Sequence, residues 1–395
     1  MRKEKIAKKQ GLIENLAEMG LWISAFFIPI YEGIIYLGMF LALIGLIYKI
    51  IKRKVGRFTK TPLDFPLLIF ILIGFISTFN SLVPRESLIA IPVFTVGIFL
   101  SYYLVVNNIS SEKSLKRFIL AMILGGTAVS CFGISQHLIQ GEIRSYATLL
   151  NPNILGSFLV LIIPIVFSLL LYTSKKAKKV GLIISFVAMV TCLTFTYSRA
   201  SWLALMGLMV FFLMIKKRKR FIIGLVLAVI SAILIFSPST NRRISLVFNF
   251  GFSIKERIYG WESALQMIRD HPLTGIGINT FEHVYPQYQL PQAKESLVHA
   301  HNIFLEIGAE MGLPGLIALL WLFIRAFTMG WRALKKTKNV YLQSLLTGLL
   351  GSLVAFVINE QFSYSWIIHN FFIFFWMLLG SLSVVSKMAL RREDV

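Results

Sequence analysis

Acidic residues are scarce in this chain of 395 residues, where 18 Asp and Glu face 40 Lys and Arg. No Asp-x-Asp pair occurs, so the usual carboxylate clamp for magnesium beside a diphosphate is missing. Cysteine is scarcer still. Cys131 and Cys192 both fall inside apolar runs and provide neither a disulfide framework nor a thiolate zinc site. The spacing of His299 and His301, with His271 or His283 as a third ligand, fits no zinc signature either. Charged residues make up only 15% of the chain, and the mean hydropathy of +0.75 excludes a soluble globular enzyme.

What the chain has instead is long apolar runs, with 56% hydrophobic residues. A helix crosses ~30 Å of hydrocarbon with about 20 apolar residues. On that basis residues 1–395 read as a single all-α polytopic membrane domain of about twelve spans. These lie near 12–30, 33–51, 65–83, 88–107, 118–137, 154–173, 180–197, 200–215, 221–238, 303–328, 340–358 and 366–386. Of the 40 basic residues, 31 fall in alternate connections and at both ends of the chain. The positive-inside rule makes that side cytoplasmic and expects both termini there, in the cytoplasmic (inner) membrane. The clusters 175–179 and 216–220 then face membrane lipids, and no nucleic-acid partner is expected. The first span is expected to be retained, since no small-residue cleavage site follows it.

Nine basic residues remain on the outer side, Arg144, Arg199, Arg257 and Arg269 among them. The one long connection, from about Ser237 to Asn302, is also outer, and a loop of that length is more often functional than idle. Within the expected loop 239–302, Ile254, Ile258, Trp261, Leu265 and Ile268 recur at helical spacing. They form one apolar stripe, with Arg257 and Arg269 beside it. Such a helix would lie on the membrane surface or cap the bundle. His301, just before the tenth span, is placed at the outer mouth; a helical start there would turn His299 to another face, whereas an extended entry would keep both imidazoles on one side. Arg199 sits in a turn between two apolar runs, a costly position without a partner or a polar cavity. Glu306 and Glu310 would orient or neutralise nearby arginines, or face solvent. His369, inside the last apolar run, reads as a packing residue. Arginine forks match phosphate oxygens, and an imidazole titrating near neutrality can accept a hydroxyl proton. Together these groups suit a lipid-linked diphosphate donor and a hydroxyl acceptor, without a metal or other cofactor.

Four stretches resemble the O-antigen ligase and O-antigen polymerase superfamily of bacterial envelope glycosyltransferases. They are Thr196-Tyr197-Ser198-Arg199-Ala200-Ser201-Trp202-Leu203; Arg257 through Trp261 with Asp270-His271-Pro272-Leu273-Thr274-Gly275-Ile276-Gly277 and Phe281; His301-Asn302-Ile303-Phe304-Leu305-Glu306 with Gly312-Leu313-Pro314-Gly315; and Asn151-Pro152-Asn153. The resemblance covers about residues 140–330. It implies a GT-C-like membrane fold and transfer of a glycan from an undecaprenyl-diphosphate-linked donor to a glycan or lipid-glycan acceptor. By position, Arg199 and Arg257 would grip the diphosphate, with His301 as the base that activates the acceptor or as its orienter. Arg144, Asn153, Arg269 and Glu306 are further candidates for substrate binding.

A transporter or flippase for a lipid-linked or amphiphilic substrate would share the span number and the basic outer face. It calls for ionisable groups at mid-bilayer and repeated halves with broken helices, and the spans offer neither.

Overall fold

The computed structural model describes residues 2–51, 58–215, 220, 223–224, 226 and 252–391. Most of the expected ninth span, residues 239–251 of the expected loop and most of the basic cluster 216–220 lie outside the described residues. Thirteen α-helices are described, and no strand occurs among the described residues: α1 Arg2–Phe27, α2 Glu32–Ile51, α3 Asp64–Phe79, α4 Pro84–Asn108, α5 Glu112–Leu138, α6 Pro152–Tyr172, α7 Lys176–Thr196, α8 Arg199–Ile215, α9 Phe252–Asp270, α10 Phe281–Tyr288, α11 Ile303–Lys336, α12 Val340–Asn359 and α13 His369–Arg391. Eight of these are long and apolar enough to cross a membrane, and α3 and α8 are shorter apolar helices. The chain is a multi-pass membrane protein.

The helices break where local chemistry breaks them. Asn151 caps α6 by accepting from the Asn153 amide, with Pro152 in the first turn where its missing N–H is harmless. Asn302 and Asn339 cap α11 and α12 in the same way. The packing centre is α6, α12 and α13, which are mostly buried, whereas α2 and α7 leave most of their apolar surface outside. An all-round apolar helix suits the first position and a lipid-facing one the second. Small residues bring α1 and α2 close: a Cβ on Gly45 would lie 2.2 Å from the Ala17 Cβ.

Connections gather at two ends. At one, the Lys49 ammonium donates to Asn108, and the Thr59 amide to Asn107. At the other, the Leu82 amide donates to Ile276, Ser145 to Phe195 and Ile303 to Glu360. This second end carries α9, α10 and a small separate core of Ala264, Met267, Ile276, Phe281, Tyr285, Leu297 and Ala309.

Candidate active site

Gly312 and Pro314 interrupt α11, and Gly312 has φ 69°, outside the helical region. Proline removes a donor and pushes away the carbonyl four residues back, which leaves backbone acceptors free. The loop after α9 takes them: the Ile276 amide donates to Ala309 O at 2.9 Å, and the Gly277 amide to Glu310 O at 3.1 Å. A Cβ on Gly275 would lie 2.3 Å from the Glu310 carbonyl, so glycine is required at that approach. The glycines of the two sequence motifs thus lock the loop after α9 to the kink.

α9 buries a small and polar face together with one flank of its apolar stripe, on which Ile268 packs against the small core. Glu256, Gly260, Ser263, Ala264 and Met267 point inward, while Ile258 and Leu265 are 46% and 52% exposed. Glu256 accepts from the Lys294 and Glu295 amides, and Ser263 donates to Tyr288 O at 2.8 Å, so polar anchoring holds α9 to the loop before His299. Arg257 and Arg269 flank the stripe on opposite edges. Arg257 is half-buried over the bundle. Arg269 is exposed near the far end of the helix, about 18 Å along the axis at 1.5 Å per residue, and is not brought into the site.

Arg199 is the first residue of α8, exposed, two residues after the left-handed Tyr197 that ends α7. The positive end of the helix adds to its charge. Its charge reaches Arg257, whose protonated form is opposed first by burial and then by Arg199. Among the described residues neither guanidinium has an ion pair or hydrogen bond. Two neighbouring cations with no anion are unfavourable alone, a repulsion that a bound anion would relieve.

His299 and His301 sit beside them. Residues 299–302 are not helical, so the two rings share a side, with centroids 4.1 Å apart in an edge-to-face arrangement. His299 therefore does not turn to another face, because α11 begins only after the Asn302 cap. His301 holds φ 54°, a left-handed conformation that a non-glycine residue adopts at a cost. Burial, then His299, then Arg257 lower the His301 imidazole to about 2; burial and Arg257 lower His299 to about 4. Both are neutral at physiological pH, and His301 is a weaker base in the free protein than its residue type suggests.

Buried carboxylates hold this arrangement, and they do so through backbone amides rather than arginines. Glu306, 1% exposed, accepts from the Ala300 amide at 2.5 Å. Glu310 accepts from the Thr280 and Phe281 amides at the start of α10. Neither faces solvent or meets a guanidinium. Arg144 is also committed: its Nε donates to Thr196 O at 2.8 Å and its Nη2 to Asn153 Oδ1 at 2.9 Å, which pins the start of α6 to the end of α7. Arg144 and Asn153 therefore position the Arg199 turn.

A buried polar network absent from the sequence reading joins that turn to the histidines. Ser201 bonds Ser198 and Asn359; Asn359 Nδ2 donates to Ser157 at 2.7 Å and to Glu360 at 2.8 Å. Ser365 donates to Glu360 through its amide and, as a second acceptor, Ser157 takes its hydroxyl. The Glu360 carbonyl then accepts from Ile303, the first residue of α11. Burial pushes the Glu360 carboxyl up to about 7 against these hydrogen bonds. The only sequence signal was a carboxylate at the end of an apolar run. His369 also differs from expectation. It is exposed at the head of α13, 3.5 Å from Glu32, rather than packed within the run. Among the described residues no group of three or more His, Cys, Asp or Glu is arranged to hold a metal ion.

Fold and site together define a helical membrane protein with a cluster of two arginines and two imidazoles at one end of the bundle. Residues 184–320 match the O-antigen ligase family model, a segment that contains Arg199, Arg257 and His301. The motif resemblance to that superfamily is supported over this segment, and with it a glycosyl-transferring activity. Comparison with curated proteins gives no match.

Proposed function

We propose that the protein transfers a glycan from an undecaprenyl-diphosphate-linked donor to a hydroxyl acceptor at the outer face of the inner membrane, without a metal ion. The observation that carries this reading is the pair of unpaired guanidiniums, Arg199 and Arg257, beside two neutral imidazoles. The arginines hold the diphosphate. The acceptor oxygen attacks the anomeric carbon, the bond from that carbon to the diphosphate breaks, and the polyprenyl diphosphate leaves with the electron pair. The hydroxyl proton passes to His301. Docking of the diphosphate offsets the charge of Arg257 and so raises the basicity of His301 when a donor is present. The developing charge on the leaving group is met by preorganised cations.

The same reading has about twelve spans in a GT-C-like arrangement, both termini cytoplasmic, and the 239–302 loop outside. The positive-inside distribution and the opposite placement of the two groups of connections support it. Its test is incubation of the purified protein with a lipid-linked oligosaccharide and candidate acceptors, with separation of the products. Transfer of the glycan to an acceptor with release of undecaprenyl diphosphate is expected. Movement of intact donor across the bilayer without bond cleavage would replace this reading with the flippase.

A further inference from the structure

At the end of the bundle opposite His301, a cavity of about 570 Å³ opens between the segment before α3, the end of α4 and the end of α13. Its size falls within the roughly 300–1,000 Å³ of small-ligand pockets. Lys60, Lys387 and Arg391 line it, and no carboxylate does so among the described residues. Lys387 and Arg391 stand one turn apart on the same helix face, a like-charged pair that destabilises a helix without an anion. Asp64, at the start of α3, is already engaged: Oδ1 accepts from Thr61 and Tyr103, and Oδ2 from the Thr61 amide. Ser386 also lines the cavity. It is 2% exposed, and its hydroxyl oxygen is buried without a hydrogen-bond partner. The remaining wall is apolar, with Val106, Ile109, Met329, Val384 and Leu390.

We infer that this cavity is a binding site for one anionic glycerophospholipid of the adjacent leaflet, its phosphate between Lys60, Lys387 and Arg391 and its acyl chains along the apolar wall. A free anion would use the cations and leave that wall unfilled. A neutral lipid would fill the wall and leave three charges and the Ser386 hydroxyl unanswered. The inference is independent of glycan transfer, since it concerns the other end of the molecule.

The test is native mass spectrometry of the purified full chain in detergent, titrated with phosphatidylglycerol, phosphatidylcholine or inorganic phosphate. The first phosphatidylglycerol should bind more tightly than phosphatidylcholine. Lys387→Gln with Arg391→Gln should weaken that event by about 30-fold, at about 1 kcal/mol per cation. Lys178→Gln with Lys179→Gln, in basic residues that do not line the cavity, should leave it unchanged. Lys60→Gln alone, at an exposed position that folding tolerates, should weaken it by about 5-fold. Equal affinity for the two lipids, unchanged binding in the cavity variants, or displacement of the lipid by inorganic phosphate at equal concentration would each overturn the site as a lipid site.

Discussion

Removing the Glu306 carboxylate tests whether this residue serves the substrate or the backbone. In Glu306→Ala the Ala300 amide, in a residue with 0% exposure, loses its 2.5 Å acceptor. An orphaned buried N–H costs about 1–3 kcal/mol. It would fall on the segment that holds His301 at φ 54°, where roughly 1–3 kcal/mol of strain is already stored. Relaxation of that segment is the cheapest response, and it withdraws the imidazole. Turnover should fall by about 5- to 150-fold, the same 1–3 kcal/mol expressed as a rate. The KM for donor should change little, since the arginines stay in place. Glu306→Gln keeps a carbonyl acceptor and should stay within a few-fold of wild type. The assay is steady-state transfer by reconstituted enzyme across a donor series. Wild-type turnover in the Ala variant would refute the reasoning, and so would a Gln variant as damaged as Ala, because the charge rather than the acceptor would then matter.

Arg257→Lys keeps the charge but loses the planar fork, and should slow transfer by roughly 100- to 1,000-fold, while Arg269→Ala should behave as wild type in the same assay. His301→Ala should lower turnover by about 100- to 10,000-fold with donor affinity retained, and His299→Ala should also be impaired because its ring packs on the same side. Between pH 4.5 and 7 the unfolded Glu360 carboxyl ionises while the folded one stays protonated, so its contribution to stability is present below 4.5 and lost as pH rises through about 7. The loss is on the order of 3 kcal/mol. Thermal denaturation of Glu360→Gln should show a flatter pH dependence, and an unchanged profile would remove Glu360 from the titration. Ser296→Cys in a Cys131→Ser background should react with an impermeant maleimide added outside intact spheroplasts; labelling only after permeabilisation would invert the topology.

Helices were legible wherever an apolar run is framed by charge, because hydrocarbon leaves the backbone one way to satisfy itself. Arg199 and Arg257 were legible as exceptions to the charge rule that orients the chain. Arg269 met the same criterion, but the two edges of a helical stripe face different neighbours, which spacing does not distinguish. The orientation of His299 turned on whether residues 299–302 are helical or extended, and the Asn302 side chain, which caps the Phe304 and Leu305 amides, is the sign that decides for the extended form. The network through Ser157, Asn359, Glu360 and Ser365 was not legible at all. Its members are single polar residues in apolar surroundings, and Ser157 and Asn359 meet across 202 positions of chain.

The outward flank of the α9 stripe has a kinetic consequence for the proposed reaction. Ile258 and Leu265 find a matching environment only at the boundary between headgroups and acyl chains, roughly 5–10 Å into the leaflet. Under the proposed function, Arg257, on the same helix, is thereby held at the height where a carrier lipid keeps its phosphates. A donor that never leaves its leaflet reaches the guanidinium by lateral diffusion, without extraction into water. Encounter then follows the number of carriers per unit area of membrane, and diluting the proteoliposomes at fixed carrier fraction leaves the rate per enzyme unchanged for an acceptor that shares the bilayer.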